Sequence, residues 1–387
     1  MPKFPIIDCD SHVLEPTTVW EKYLDRDYRV VARTAFWHEV DEFGLPVTIV
    51  NGAQAKPMNS SRINRYGIWK PGMKPEDIGA LDPDVHHPLN PGAHDPAARL
   101  KDMDAMGIRT AVLFPTLFAE YFPIVENPDA AAALARAYND WIREFCGAAL
   151  KRLIPVAVLP LQEVSFAIRE LRRVAKLGFR AAFIRPAFFN HRFPNQDYYK
   201  PLWQQLEALG LVACIHPSSG HTNPEWTSEG SYVERVAGYL RIGHNVAESV
   251  APTMDNAILL NAFCFCGHLE DFPKLKLSFL HSGASWVPLA LEKAETYLWL
   301  MSATQDVSLE PEHLFFDRST LVSFNSWESS VARLPDVFKG IAAWGSRYPH
   351  HDASEPAEAL ANLSKWNVPD AVAAAYMGGN AARQFGI

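Results

Sequence analysis

The feature that most constrains the fold of this chain is a sustained alternation. Eight apolar runs of strand length recur along it, and each is followed by sequence with helical spacing. The runs are IIDCDSH from residue 6, IRTAVLFPT from 108, LIPVAVLP from 153, AAFIRPA from 181, VACIHPS from 212, LKLSFLHSG from 275, STLVSFN from 319 and IAAWGSRYP from 341. Helical patterns lie between them, among them AAAALARAYNDWIREFC and the spans 163–177, 199–209, 286–301 and 328–339, with a long helix ending near Gly267. Eight strand and helix units in this order predict an α/β fold, a (β/α)8 TIM barrel. The whole chain, 1–387, reads as a single barrel. Residues 30–97, rich in Pro, Gly, Asn and aromatics, are expected to form a cap inserted after the first strand. Within that insertion, FWHEVDEFGLPVTIVNG carries two alternating runs about a Gly-Leu-Pro turn, the pattern of a hairpin.

Composition narrows the function classes. With 48% hydrophobic and 21% charged residues, 387 residues suffice for a large core. A net charge of -8 and the lack of a basic stripe argue against nucleic-acid or anionic-membrane partners. No apolar run is long enough to span a bilayer and no leader-like h-region follows Met1, so a cytoplasmic location is expected. Cys9, Cys146, Cys214, Cys264 and Cys266 sit in apolar settings without zinc-ribbon spacing and read as reduced core residues. Neither a P-loop nor a Rossmann glycine motif follows the first strand, which argues against phosphoryl transfer and nucleotide-dependent redox chemistry. The sequence does not specify whether the chain forms a homo-oligomer.

In a barrel, chemistry sits where the parallel strands end. Asp10 and His12 close the first strand two positions apart, on one face, where an oxygen and a nitrogen could grip a single divalent cation. A solvated turn is the plainer reading of the same segment. Arg185 ends strand four, His216 strand five and His281 strand six, and Arg347, His350, His351 and Asp352 follow strand eight. Their convergence on one mouth favours function over coincidence. His38, His86, His87, His94, His191, His221 and His313 fall in loops or surface-like segments, while His244 and His268 flank the long helix.

Several of these segments, taken in order, resemble a known family. They are the Asp-x-His start, DMDAMGIRTAVLFPT, RAYNDWIREFC, RLIPVAVLP, IHPSSG, FPKLKLSFLHSGASWVP, WGSRYPHHD and GNAARQFGI. Together they look like the amidohydrolase-2 branch of the amidohydrolase superfamily, which includes aminocarboxymuconate-semialdehyde decarboxylase. The resemblance implies that Asp10, His12 and His216 are metal ligands. It further implies that His281 is the histidine that orients or deprotonates a water, or a second-cation ligand. The cofactor it implies is one or two divalent ions of Fe, Zn or Mn. Relatives place an Asp ligand after strand eight in Gly-Ser/Thr-Asp-Tyr-Pro; here that position is Arg347, whose guanidinium stays protonated and cannot ligate a cation. His350, His351 and Asp352 lie close enough in sequence to supply a replacement ligand, and Asp8 or Glu15 could add a carboxylate. His350 is therefore counted among the expected metal ligands. A metal-free site, in which Arg347 fills the cation space and pairs with Asp10, is the competing expectation.

Three functions fit these residues. The leading expectation is a metal-dependent hydrolase that attacks an ester, thioester or amide carbonyl with a metal-activated water, with His281 handling the proton and Arg347 an anionic or carbonyl group. The alternatives are a non-oxidative metal-dependent decarboxylase of an aromatic or unsaturated carboxylic acid, and a non-catalytic small-molecule binder on a degenerate barrel. The expected substrate is a bulky, apolar small molecule bearing a carbonyl or carboxylate. Arg185, Phe118 and Tyr121 are its expected contacts, Arg185 having a structural ion pair as its plainer role.

Overall fold

All eight expected strands form. The computed structural model describes residues 4–40, 46–55, 65–82, 84–217, 245–304 and 306–387. The barrel strands are β1 (Ile6–His12), β2 (Ile108–Phe114), β3 (Leu153–Val158), β4 (Ala181–Ile184), β5 (Val212–Ile215), β6 (Lys276–Phe279), β7 (Thr320–Phe324) and β8 (Ala342–Trp344). They pair in sequence order, and every ladder between neighbours is parallel. Residues of β1, β3, β4, β5, β7 and β8 are buried throughout, as expected of a parallel sheet covered by helices. Helix boundaries follow local chemistry. Asn127 caps the helix Pro128–Gly147 by accepting from the backbone N–H groups of Asp129 and Ala130, and Pro128 sits at its first position, where no N–H is needed. That helix then buries a stripe running from Ala130 through Leu134, Tyr138, Trp141 and Phe145.

One segment departs from the expected pattern. The helix expected over 328–339 is broken into Ser329–Arg333 and Pro335–Phe338, because Pro335 restrains Leu334 away from helical geometry and supplies no N–H. His221 and His244 lie outside the described residues. The hairpin does form: Phe36–Val40 pairs antiparallel with Pro46–Val50. Its Phe36 packs on Trp20 and Phe118 beside the first two barrel strands. Further along the insertion, Trp69 donates its backbone N–H to Pro349 and its ring lies edge-on to Tyr348, so residues 65–82 are stitched to the loop after β8. Cys9, Cys146, Cys214 and Cys264 are free and buried, whereas Cys266 is exposed. No helix among the described residues is long and apolar enough to cross a membrane.

The seam between β8 and β1 is closed by single contacts rather than by a ladder. The Arg347 N–H donates to the Asp10 carbonyl at 2.9 Å, and the His12 N–H to the Tyr348 carbonyl at 2.6 Å. The carboxylate of Asp8 takes both the backbone N–H and the hydroxyl of Ser346, at 2.8 and 2.5 Å. Gly345 permits the approach, since a Cβ there would lie 2.6 Å from Asp10 Cβ. Gly345→Ala should therefore destabilise the fold by roughly 1–3 kcal/mol, the usual cost of overpacking a dense interior. A urea titration checks this: an unchanged midpoint would mean that the seam yields freely.

Candidate active site

The barrel brings Asp10, His12 and His216 into one buried cluster in which one ligand atom from each lies within 4.8 Å of the others. Their orientation is set by backbone carbonyls. His12 Nδ1 is 3.0 Å from the Pro115 oxygen and His216 Nδ1 is 2.9 Å from the Pro217 oxygen. A carbonyl only accepts, so both rings carry their proton on Nδ1 and present an Nε2 lone pair inward. The two Nε2 atoms are 3.3 Å apart, and each is 3.3 Å from Asp10 Oδ1. Three electron pairs thus face one another, and Asp10 Oδ1 is buried without a hydrogen-bond donor among the described residues. Edges of this length match ligand atoms held roughly 2.0–2.2 Å from a common centre. The donor set and its spacing fit a divalent transition metal.

Arg347 faces the same cluster. Its Nη1 is 2.9 Å from His12 Nε2 and 4.0 Å from Asp10 Oδ1, its Nη2 is 3.1 Å from His350 Nδ1, and its Nε is 3.3 Å from Asp352 Oδ2. The guanidinium therefore leans on His12 more than on Asp10. Both Arg347 and His281 adopt left-handed backbone conformations, with φ of 63° and 65°. Non-glycine residues enter that region only when surrounding contacts impose it; here it accompanies the turn of each chain segment out of its strand. The His281 N–H donates to Asp10 Oδ2 at 3.0 Å, while its ring Nδ1 is buried without a partner among the described residues. His350 stacks on His12 with centroids 4.1 Å apart, and its Nε2 is 3.1 Å from the Thr116 hydroxyl.

Burial and the neighbouring guanidinium keep these imidazoles neutral. Burial is the main cause that pushes His12 down to about 4 and His281 and His350 well below the usual histidine range, and Arg347 adds to it in each case. Burial alone would raise the Asp10 carboxyl, but the charged and polar groups around it, Arg347 among them, outweigh burial and hold it well below the usual carboxylate range.

A pocket of about 660 Å³ opens above the cluster. His12, His216, His281, Arg347, His350 and Arg185 line it, with Phe183 as an apolar wall, and Thr116, Glu120 and Tyr66 complete the polar rim. Arg185 does form the structural ion pair with Glu120, Nη1 to Oε2 at 3.4 Å, yet its buried Nε has no partner among the described residues. Phe118 and Tyr121 are not among the lining residues. The segment after β2 is the short helix Leu117–Tyr121, whose first N–H groups are held by the Glu15 carboxylate. Helical spacing sends Phe118 into the core against Trp20, Phe36 and Tyr138, while Ala119 and Glu120 face the pocket. Asp8 and Glu15, considered as extra ligands, are spent on Ser346 and on that helix. His281 and His350 line the pocket but stand outside the three-residue cluster.

Thr116, Glu120 and Arg99 had no signal in the sequence. Arg99 is buried and grips the β1 end from below: it donates to the His12 carbonyl, to Ser11 Oγ at 2.9 Å and to the Gly92 carbonyl at 2.8 Å, with its guanidinium over the Tyr348 ring.

The family model described as Amidohydrolase matches residues 7–387, and the chain belongs to that family. A curated relative, gamma-resorcylate decarboxylase of Rhizobium radiobacter, is 34% identical over 127 residues, which span 31% of this chain and 38% of that protein. Among solved structures, an amidohydrolase from Mycobacterium avium subsp. paratuberculosis shares the fold with a TM-score of 0.79 at 17% identity, covering 100% of this chain and 99% of the other. The 5-carboxyvanillate decarboxylase of Novosphingobium aromaticivorans, crystallised with manganese and 4-hydroxy-3-methoxy-5-nitrobenzoic acid, aligns with a TM-score of 0.67 at 18% identity, covering 100% and 97%. These relatives overturn the expectation of hydrolysis: the related enzymes named for a reaction are decarboxylases.

Two outcomes follow from the geometry. His12→Ala should lower manganese affinity by more than about tenfold, since loss of an outer-shell partner alone typically costs 10–100-fold; elemental analysis after dialysis reads it. In metal-free protein, His12, His38, His281 and His350 all have folded-state pKa values below 6.5, His12 and His38 near 4. Their stabilising contribution is complete above pH 6.5 and is lost as pH falls toward 4, where the unfolded chain binds protons that the folded one refuses. Glu15, raised to about 7, and Asp8, raised to about 6, act in the opposite sense but are outnumbered. The urea midpoint should consequently be lower at pH 5 than at pH 7.

Proposed function

We propose that this protein is a metal-dependent, non-oxidative decarboxylase of a small aromatic or unsaturated carboxylic acid. The observation that carries this reading is the trio of inward lone pairs on Asp10, His12 and His216, set beside a fixed guanidinium under one pocket. Similarity to gamma-resorcylate decarboxylase over about a third of the chain supports it. Asp10, His12 and His216 would hold the cation, which, when bound, supplies charge to orient and polarise an oxygen of the substrate.

The chain's own residues account for the remaining work. Arg347, held by His350 and Asp352, offers N–H donors to a carboxylate. Phe183 gives an aromatic ring an apolar wall, and the free Arg185 Nε is a donor for an oxygen further along the substrate. Loss of carbon dioxide breaks the bond between carboxyl carbon and ring carbon and leaves the electron pair on the latter, which must gain a proton. His281 lines the pocket with a ring nitrogen that has no other partner. That nitrogen faces the space where the substrate would lie and is the place where this chain can hold the incoming proton. It then delivers that proton to carbon as the acid.

The test is release of carbon dioxide from 2,6-dihydroxybenzoate and related aromatic acids by manganese-loaded protein. His281→Asn should retain the fold and the metal and lower turnover by roughly 100- to 10,000-fold, the range for a positioned acid or base. Undiminished turnover in that variant would remove His281 from the mechanism, and no release from any aromatic carboxylate would remove the activity.

A further inference from the structure

We infer that cation and substrate carboxylate bind this site cooperatively, with Arg347 making the carboxylate a required partner of the metal. The inference rests on the metal-dependent reading above and concerns how that site fills. Arg347 Nη1 and any cation seated among Asp10, His12 and His216 compete for one electron pair, the Nε2 lone pair of His12. Seating the cation therefore takes a hydrogen bond from a guanidinium that is nine-tenths buried.

Charge leads to the same conclusion. The cluster supplies one carboxylate, and Asp352 supplies another to Arg347. With a divalent ion in place, these two anions leave one positive charge uncompensated between the ion and the guanidinium. The Glu120 carboxylate is paired with Arg185 across the pocket. An uncompensated charge in a buried site is costly, and a monoanion that touches both cations removes the excess. A carboxylate has the required charge and two oxygens, so it can give Arg347 a new acceptor in exchange for His12. Each ligand then strengthens the other by the same factor. A neutral carbonyl compound would gain nothing comparable, so the site selects for acids.

The experiment titrates manganese into metal-free full-length protein, reading free ion by electron paramagnetic resonance, with and without saturating benzoate at constant ionic strength. In the wild type, benzoate should tighten manganese binding roughly 10- to 100-fold, and manganese should tighten benzoate binding equally. Arg347→Gln should bind manganese more tightly than the wild type without benzoate and lose most of the coupling. Arg347→Asp should need no carboxylate at all. Equal manganese affinity with and without benzoate, no manganese binding under either condition, or full coupling retained in Arg347→Gln would each overturn the inference. The wild-type comparison stands even if a variant misfolds, which its thermal melt will reveal. Benzoate serves here as a binding probe. Coupling without carbon dioxide release from any acid would sink the decarboxylase reading alone, whereas release without coupling would sink this inference alone.

Discussion

The contact between the end of β1 and the loop after β8 is the constraint on which the rest of this molecule depends. A parallel barrel must close its last strand on its first, and here closure relies on a few directed bonds: Arg347 to the Asp10 carbonyl, His12 to the Tyr348 carbonyl, and Ser346 to Asp8. The same short segments carry Asp10, His12 and Arg347. Fold closure and site assembly are thus one event, and any slip of register at the seam would displace the acceptor atoms from one another. Arg99 and the ring of Tyr348 reinforce the seam from beneath, which explains a fully buried arginine so near a cationic site.

The electrostatics of the pocket follow from burial. A transition metal requires neutral histidine ligands, and the protein favours the neutral form of His12 by excluding water and by placing a permanent cation beside it. Carbonyl acceptors at Pro115 and Pro217 then fix which nitrogen of His12 and His216 is available. Proline suits that task, since it has no N–H and its ring stiffens the chain that bears the carbonyl. Arg347 is the element that most distinguishes the site. It sets a fixed guanidinium against His12 Nε2 at the floor of the pocket.

Much of this was legible in the chain. Alternating apolar runs and helical spacing gave all eight strands, because a parallel barrel buries both faces of each strand and writes that burial into sequence. The strand-end rule then picked Asp10, His12, Arg185, His216, His281 and Arg347, all of which line the central cluster or its pocket. Phe118 and Tyr121 lie outside the pocket lining because the segment after β2 turns helical as soon as Glu15 caps it, and no local pattern encodes that long-range bond. Hydrolysis failed for a different reason: the same strand-end residues can support either chemistry, and nothing in their spacing selects one.

By itself, then, the sequence determined the element order, the barrel, and which titratable residues stand at strand ends, since these follow from periodicity and chain direction. Tertiary structure alone decided which nitrogen each histidine offers, that Asp8 and Glu15 serve the scaffold, that Glu120 and Thr116 reach the pocket, and that Arg347 competes for His12. Those are relations between atoms brought together from distant parts of the chain, and their energies depend on distance and burial that only the closed barrel sets.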